Sequence, residues 1–458
     1  MTGQSGITIR GEATMKVKKQ HTILKSLLVG TVVIGLLAGC GSKSSTDSTN
    51  PEATKAAEGK KSNVTLTIAA SQNWIRQADK DIAADFTQET GIKVDFQVNP
   101  DDQYKDVIKS KLATKEATDI IYFQGGVSAY ELLPADNLLD LTNEAWVARE
   151  TEWAKGGTTL DGKVIGLNRW GTDGWGIMYN PELFTKLNLK VPTTYEEFLA
   201  VCEAIKAAGI IPIFENAKDT WHLPLWLNNI AYQVSAKDSS LYGKLADGTT
   251  KFADIPQAEM AVAQLKELAD KGYLGKDFMS NDWNGAIPAL GEGKYAMILT
   301  YTSWSSEVKA KYPDSNADKW EMFPAPLAGV KSWATSAGGV IQVINKNSKN
   351  VEEAKQYFNY IAKADVLLKF YGAHEMLKTN EIPFKDAKNP VKNLVFDTVV
   401  ANSPDGYGLD FEGGVKFFIK ENYGQSFQDL LLNGKSPKQV IDFIDNDRAK
   451  LIKAATGK

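Results

Sequence analysis

The sequence predicts an α/β protein of two lobes, and three observations lead there. At 458 residues the chain is longer than one hydrophobic core supports. Apolar alternation and helical periodicity take turns along it, in the order strand, helix, strand, helix, strand over residues 64–123. The same alternation resumes beyond residue 170.

Val64, Leu66 and Ile68 alternate and read as the first strand. A helical stretch through Phe86 follows, and then "GIKVDFQV" alternates again. "DDQYKDVIKSKLA" sets Tyr104, Val107, Ile108 and Leu112 on one helical face. "DIIYF" is a short, fully apolar strand. This order implies a largely parallel sheet, whose ligands gather beyond the carboxyl ends of the strands, in the loops Ser71–Trp74 and Phe123–Gly126. Further on, Asn180-Pro181 reads as an N-cap with proline at the first helical position. Thr193 or Thr194 with Glu196 or Glu197 reads as a capping box closed by Gly209. Asn350 with Glu353 caps "VEEAKQYFNYIA", and Ser436-Pro437 opens the last helix. "KYAMILTY" and "GGVIQVIN" read as strands between them.

The amino-terminal stretch "MKVKKQHTILKSLLVGTVVIGLLAGC" has a basic start, an apolar run from Leu27 to Leu37 and small residues before Cys40. That is a secretory signal over residues 1–39, too short in its apolar run to span a membrane. Leu37-Ala38-Gly39-Cys40 resembles a bacterial lipobox, which implies lipidation of Cys40. Residues 40–63 carry no large apolar side chain beyond that cysteine and read as a flexible tether. The signal pattern begins at Met15, which points to translation starting there. Cys202 is the only other cysteine, so no intramolecular disulfide remains after lipidation. It shares a helical face with Phe198 and Ile205, as packing rather than as a nucleophile.

Net charge is −4, of which residues 1–39 contribute +4, so the chain from Cys40 onward carries −8. No basic excess is left to hold nucleic acid. Metal ligand spacing is absent among the three histidines, and no nucleophile elbow, phosphate loop or dinucleotide fingerprint occurs. No cofactor, metal or catalytic residue is expected. What remains is aromatic side chains on loops: Trp74, Trp170, Trp175, Trp221 and Trp304, flanked by polar residues or glycine. Sugars offer apolar C–H faces and a polar rim, which suits flat rings with amide, carboxylate or imidazole partners. Trp283 and Trp333 fit core or ligand equally, and Asp173 fits either a turn or a ligand contact. Trp226 and Tyr179 read as core.

These residues, with "TDIIYFQGG", "IMYNPELFTKLNLKVPTTYEEFLAVCEAIKAAGIIPI", "GEGKYAMILTYTSW", "GGVIQVINKNSKNVEEAKQYFNYIAKAD" and "NGKSPKQVIDFID", carry a family likeness. The chain resembles the extracellular carbohydrate-binding proteins of ABC importers, in the maltose-binding-protein-like group. The resemblance covers nearly everything from Val64 onward. It implies the periplasmic-binding-protein-like class II fold, two α/β lobes with a ligand cleft and hinge. Lobe 1 is then residues 64–168 with about 338–400, and lobe 2 about 169–337 with 401–458. Crossings fall near Ile165–Trp170, Thr335–Val340 and Asn402–Asp410. The implied ligand contacts are Asn73, Trp74, Phe123, Gln124, Trp170, Asp173, Trp175, Trp221, His222, Trp304 and Trp333. Relatives often have proline where Asn168-Arg169 stands here. The implied partners are a sugar or oligosaccharide and a membrane permease, for a lipid-anchored monomer on the extracellular face. A secreted carbohydrate-active enzyme, or a same-fold binder of a non-sugar solute such as ferric ion or a polyamine, is the rival reading. On the likeness, Trp304→Ala weakens sugar binding with little loss of folding.

Replacing the Met15 codon is expected to abolish the mature lipoprotein, read by immunoblot of membrane fractions. Retention of the protein after that change, together with its loss on replacing the Met1 codon, overturns the Met15 start.

Overall fold

A computed structural model describes residues 63–457 apart from 172, 337–338, 375–376, 378–380 and 390–393. The signal stretch, Met15, Cys40 and the tether up to residue 62 lie outside the described residues.

The first sheet has five strands in the spatial order Lys93–Asn99, Thr65–Ser71, Ile120–Gln124, Val340–Ile344, Leu167–Asn168. Its centre is apolar on both faces. Ile120 and Tyr122 join Leu66, Ile68 and Phe358 in one core cluster. Ile121 and Phe123, one residue out of phase, join Tyr104, Ile108 and Leu132 in another. That is why "IIYF" runs without alternation: helices Gln77–Thr90 and Val351–Ile361 contribute to one cluster, helix Asp101–Ala113 to the other.

The second sheet has four strands in the order Glu321–Phe323, Trp175–Tyr179, Tyr295–Tyr301, Ile211–Phe214. It too is covered twice. Ile177, Leu299 and Phe323 face a large cluster that holds Cys202, while Met178, Ile298 and Met322 face a smaller one that holds Trp304. Helix Leu394–Ala401 packs on strand Glu321–Phe323 and buries Val395 and Val399 in the smaller cluster.

The three strands of residues 64–123 pair in parallel as expected, but the sheet they belong to is mixed. Thr65–Ser71 pairs in parallel with both its neighbours, but Val340–Ile344 runs antiparallel to both of its own. In the second sheet only Ile211–Phe214 and Tyr295–Tyr301 are parallel. A parallel neighbour needs a crossover helix on the same sheet. Val340–Ile344 instead follows a strand, Trp333–Thr335, that pairs outside the first sheet.

The helix ends are largely as their residues dictate. Asn180 Oδ1 accepts from Glu182 N at 3.0 Å, with Pro181 next in the chain. Thr194 Oγ1 accepts from Glu197 N at 3.2 Å, and Gly209 closes that turn at φ +81°. Ser436 and Gln439 form a reciprocal capping box. Asn350 is the exception: its amide donates to Asp119 Oδ1 at 3.2 Å and makes no cap. Asp119 is the stronger attractor because it is a carboxylate.

Glu150 is fully buried beside the isolated bridge from its backbone to Phe384. Burial pushes its carboxyl up to about 8. The folded chain therefore holds this proton more tightly than the unfolded chain does. Its contribution to stability is complete below the ordinary glutamate range, and it is lost as pH rises to about 8. Urea unfolding between pH 5 and 8 is expected to show a smaller fall in stability for Glu150→Gln than for the native chain. Equal slopes would refute this assignment.

Candidate functional site

Three segments lie edge to edge where the chain leaves one sheet for the other. Gly174 bridges Thr335, and Trp333–Thr335 pairs in parallel with Tyr407–Leu409. Ser336 N donates to Asp173 O at 3.2 Å and Asp410 N to Thr335 O at 2.9 Å. Gly174 is required there: a Cβ would sit 2.5 Å from the Trp333 ring.

Asp173 pins this junction. Its Oδ1 accepts from Thr302 N at 2.7 Å, Thr302 Oγ1 at 2.6 Å and Gly174 N at 2.9 Å. Its Oδ2 accepts from Ser303 Oγ at 3.0 Å. Burial raises this carboxyl above the usual range, and the Thr302 and Ser303 hydrogen bonds pull it partly back. Four donors from its own chain occupy the carboxylate, three of them from the distant Thr302 and Ser303.

Beside it stands an aromatic group. Trp175 lies opposite Tyr301 in the sheet, with ring centroids 5.4 Å apart. Trp221, on the loop after Ile211–Phe214, stands 5.9 Å from Trp175 and 5.5 Å from Trp283. Trp283 is 6.1 Å from Trp175 and 5.9 Å from Tyr301. All four are partly exposed, in edge-on or tilted geometries. Asp219 Oδ2 holds Trp283 through its backbone N–H at 2.5 Å. Trp283 and Tyr301 are the members that the sequence argument did not assign to the site. "DWNG" for Trp283 and the Tyr301–Trp304 spacing were the available signals.

Tyr301 packs against core residues of both sheets. Its hydroxyl donates to Glu307 Oε1 at 2.6 Å, and Glu307 Oε2 lies 3.9 Å from Arg76 Nη2. Arg76 precedes helix Gln77–Thr90 of the first sheet, so this chain of contacts runs from one sheet to the other. Trp170 stands edge-on to His374 at 5.7 Å, and Trp74 edge-on to Tyr104 at 5.3 Å. Asp101 holds the Asn73 amide, while Gln124 Oε1 has no hydrogen-bond partner among the described residues. A second bridge lies on another edge. Lys105 Nζ is 3.0 Å from Glu421 and 3.7 Å from Glu131, and Lys416 Nζ sits 3.9 Å from the centre of the Tyr130 ring.

Four of the expected contacts are fully buried. Phe123, His222, Trp304 and Trp333 are each 0% exposed. Phe123 points into the cluster with Tyr104 because strand alternation turns it from the open loop. His222 places Nδ1 2.6 Å from Glu215 Oε1 and Nε2 3.0 Å from Leu299 O, so both nitrogens are engaged internally. Glu215 Oε2 also accepts from Trp226 Nε1 at 2.7 Å. Trp304 opens helix Trp304–Lys311 and folds back among Val308, Ala317 and Trp320. Trp333 donates Nε1 to Trp175 O at 3.0 Å and packs on Phe396.

Comparison with known proteins adds a family signal. The family model described as bacterial extracellular solute-binding protein matches residues 72–366. A multiple sugar-binding protein of Streptococcus mutans is 23% identical over 321 residues, covering 69% of this chain and 75% of its own. A solved chitin oligosaccharide binding protein superposes with TM-score 0.72 at 19% identity, covering 85% of this chain and all of its own. A sugar transporter from Bacillus licheniformis solved with stachyose gives 0.70 at 20% identity, with the same coverage. These two structures share the fold.

Because Trp304 is core, Trp304→Ala is expected to cost about 3–5 kcal/mol of stability rather than leave folding intact. Urea unfolding measures this, and a loss under about 1 kcal/mol would contradict the burial argument.

Proposed function

The chain belongs to the bacterial extracellular solute-binding proteins, and from that premise we propose that it captures a sugar or oligosaccharide for an ABC importer. Two lobes, built on the two sheets, close on the ligand and present it to a membrane permease. The first lobe is taken as residues 64–168 with about 338 to 390, and the second as the rest of the folded body. Helix Leu394–Ala401 is assigned to the second on its packing against Glu321–Phe323. The observation that carries the reading is the set of partly exposed rings Trp175, Trp221, Trp283 and Tyr301, adjoining the Arg76–Glu307 pair. Flat rings with a charged, hydrogen-bonding rim suit the two chemistries of a sugar face. Trp74, Trp170, Asn73 and Gln124 are the first lobe's share. Asp173 acts by holding the junction.

Binding shifts an open–closed equilibrium only by the ligand's extra affinity for the closed state. The inter-sheet contact Arg76–Glu307 is long at 3.9 Å and its arginine is partly exposed, so it is individually weak and the open form stays within reach. The relatives named above bind sugars, and the same class of ligand is proposed for this chain. A signal ending before Cys40, a lipid on Cys40, a monomeric state and a binding rather than catalytic role complete the proposal.

A thermal-shift screen of the purified protein with stachyose, a chitin oligosaccharide and single sugars is expected to raise the melting point for at least one. Trp175→Ala should weaken that sugar about tenfold or more by calorimetry. No shift with any sugar would sink the reading, and recovery of cleaved sugar would replace it with an enzyme.

A further inference from the structure

His374 closes helix Ala364–Ala373 and is 2% exposed. Both its ring nitrogens are buried without a hydrogen-bond partner among the described residues. The contrast with His222 is direct, since that ring, equally buried, has an oxygen opposite each nitrogen. A buried polar atom left unpartnered costs stability, so an orphaned pair on one ring calls for an explanation.

Position supplies one. The His374 ring meets Phe370 at 5.1 Å and stands edge-on to Trp170 at 5.7 Å. Trp170 is on the first crossing, between strand Leu167–Asn168 and the Asp173 junction. Arg76, whose other end reaches Glu307 of the second sheet, also leaves its buried Nε without a partner among the described residues. Burial, with Arg76 and then Arg169 nearby, lowers the imidazole to about 3, so the ring is neutral at ordinary pH. A neutral imidazole offers one N–H donor and one lone pair. Either can meet a sugar hydroxyl, which both donates and accepts.

We propose that His374 is a sugar-contacting residue of the first lobe, hydrogen-bonding a hydroxyl of a neutral saccharide beside Trp170 and Arg76. This rests on the sugar-capture reading above. The ligand is neutral because the cations nearby already have carboxylate partners: Arg169 with Asp79 at 2.8 Å, Arg76 with Glu307 at 3.9 Å. Neither leaves a net positive charge to select a uronate. The sequence offered no spacing signal for His374, whose neighbours in the site come from residues 76 and 170.

The test is calorimetry on the purified protein, His374→Phe and His374→Gln, with stachyose, a chitin oligosaccharide and trigalacturonate. For whichever neutral sugar binds the native protein, His374→Phe is expected to bind about tenfold or more weakly. Its melting point without sugar should be unchanged or higher, since no internal hydrogen bond is lost. His374→Gln, which keeps a donor and an acceptor, should recover most of the affinity. In the native protein the His374 ring ¹⁵N resonances should shift on adding that sugar, which covers the case of a variant that fails to fold. Native binding with equal affinity in His374→Phe and unmoved ring resonances would overturn the role of His374 alone, leaving an ordered water as its partner. Tighter binding of trigalacturonate than of the neutral sugars would overturn the neutral class. No binding of any of the three by the native protein would overturn the sugar-capture reading and this proposal with it.

Discussion

Arg169 is the constraint on which the rest is hung. Its guanidinium is 1% exposed and donates Nη2 to Asp79 Oδ1 at 2.8 Å and to Tyr122 Oη at 3.0 Å. The Gln342 carboxamide, oriented to satisfy its neighbours, accepts from Arg169 Nε at 3.0 Å. The Phe370 ring lies 4.2 Å from the guanidinium carbon. One side chain thus joins two helices, two strands and the start of the first crossing. Burying such a charge is costly unless every partner is in place, so the pair gives less stability than geometry. The next residue is Trp170, and three further on is Asp173. Where those two stand is set by where Arg169 is held.

The two sheets are then joined by unlike means. At the crossings the bonds are backbone to backbone, short and independent of ionic strength. Away from them the bridges are side chains of opposite charge, Arg76 with Glu307 and Lys105 with Glu421. At Glu421, burial opposes the charge, but Lys105 and Lys420 outweigh it and hold the carboxyl low, at about 2. The Arg76–Glu307 pair, long and with a partly exposed arginine, is weak, whereas strand pairing at the crossings is not.

Much of this was legible in the chain. Period-two and helical patterns, and the caps at Asn180, Thr194 and Ser436, depend on neighbours in sequence, and the structure follows them. Strand direction did not read out, because Val340–Ile344 looks the same whichever way it enters the sheet. Site membership was half legible. Trp175 and Trp221 sit on glycine- and polar-rich loops and are partly exposed, as such loops suggest. Trp304 and Trp333 have the same kind of neighbours, yet they turn inward, since a helix start or a crossing decides their direction. His374 carries no local signal at all. Its surroundings are assembled from segments some 200 and 300 residues away, and only packing reveals them.

The antiparallel strand Val340–Ile344 has a bearing on how the molecule is made. It is the fourth of five strands, between Ile120–Gln124 and Leu167–Asn168, and reaches the first sheet from a point over 200 residues beyond Ile120–Gln124. A polypeptide emerging from its amino end therefore cannot complete its first sheet until most of it has been synthesised. The intervening second sheet draws on residues 175–323 and can assemble sooner. Folding order then inverts sequence order, with the late strand as the slow, high-contact-order step. Until that strand arrives, one edge of Ile120–Gln124 and the short Leu167–Asn168 lack their sheet partner, which leaves an apolar edge exposed to misassembly.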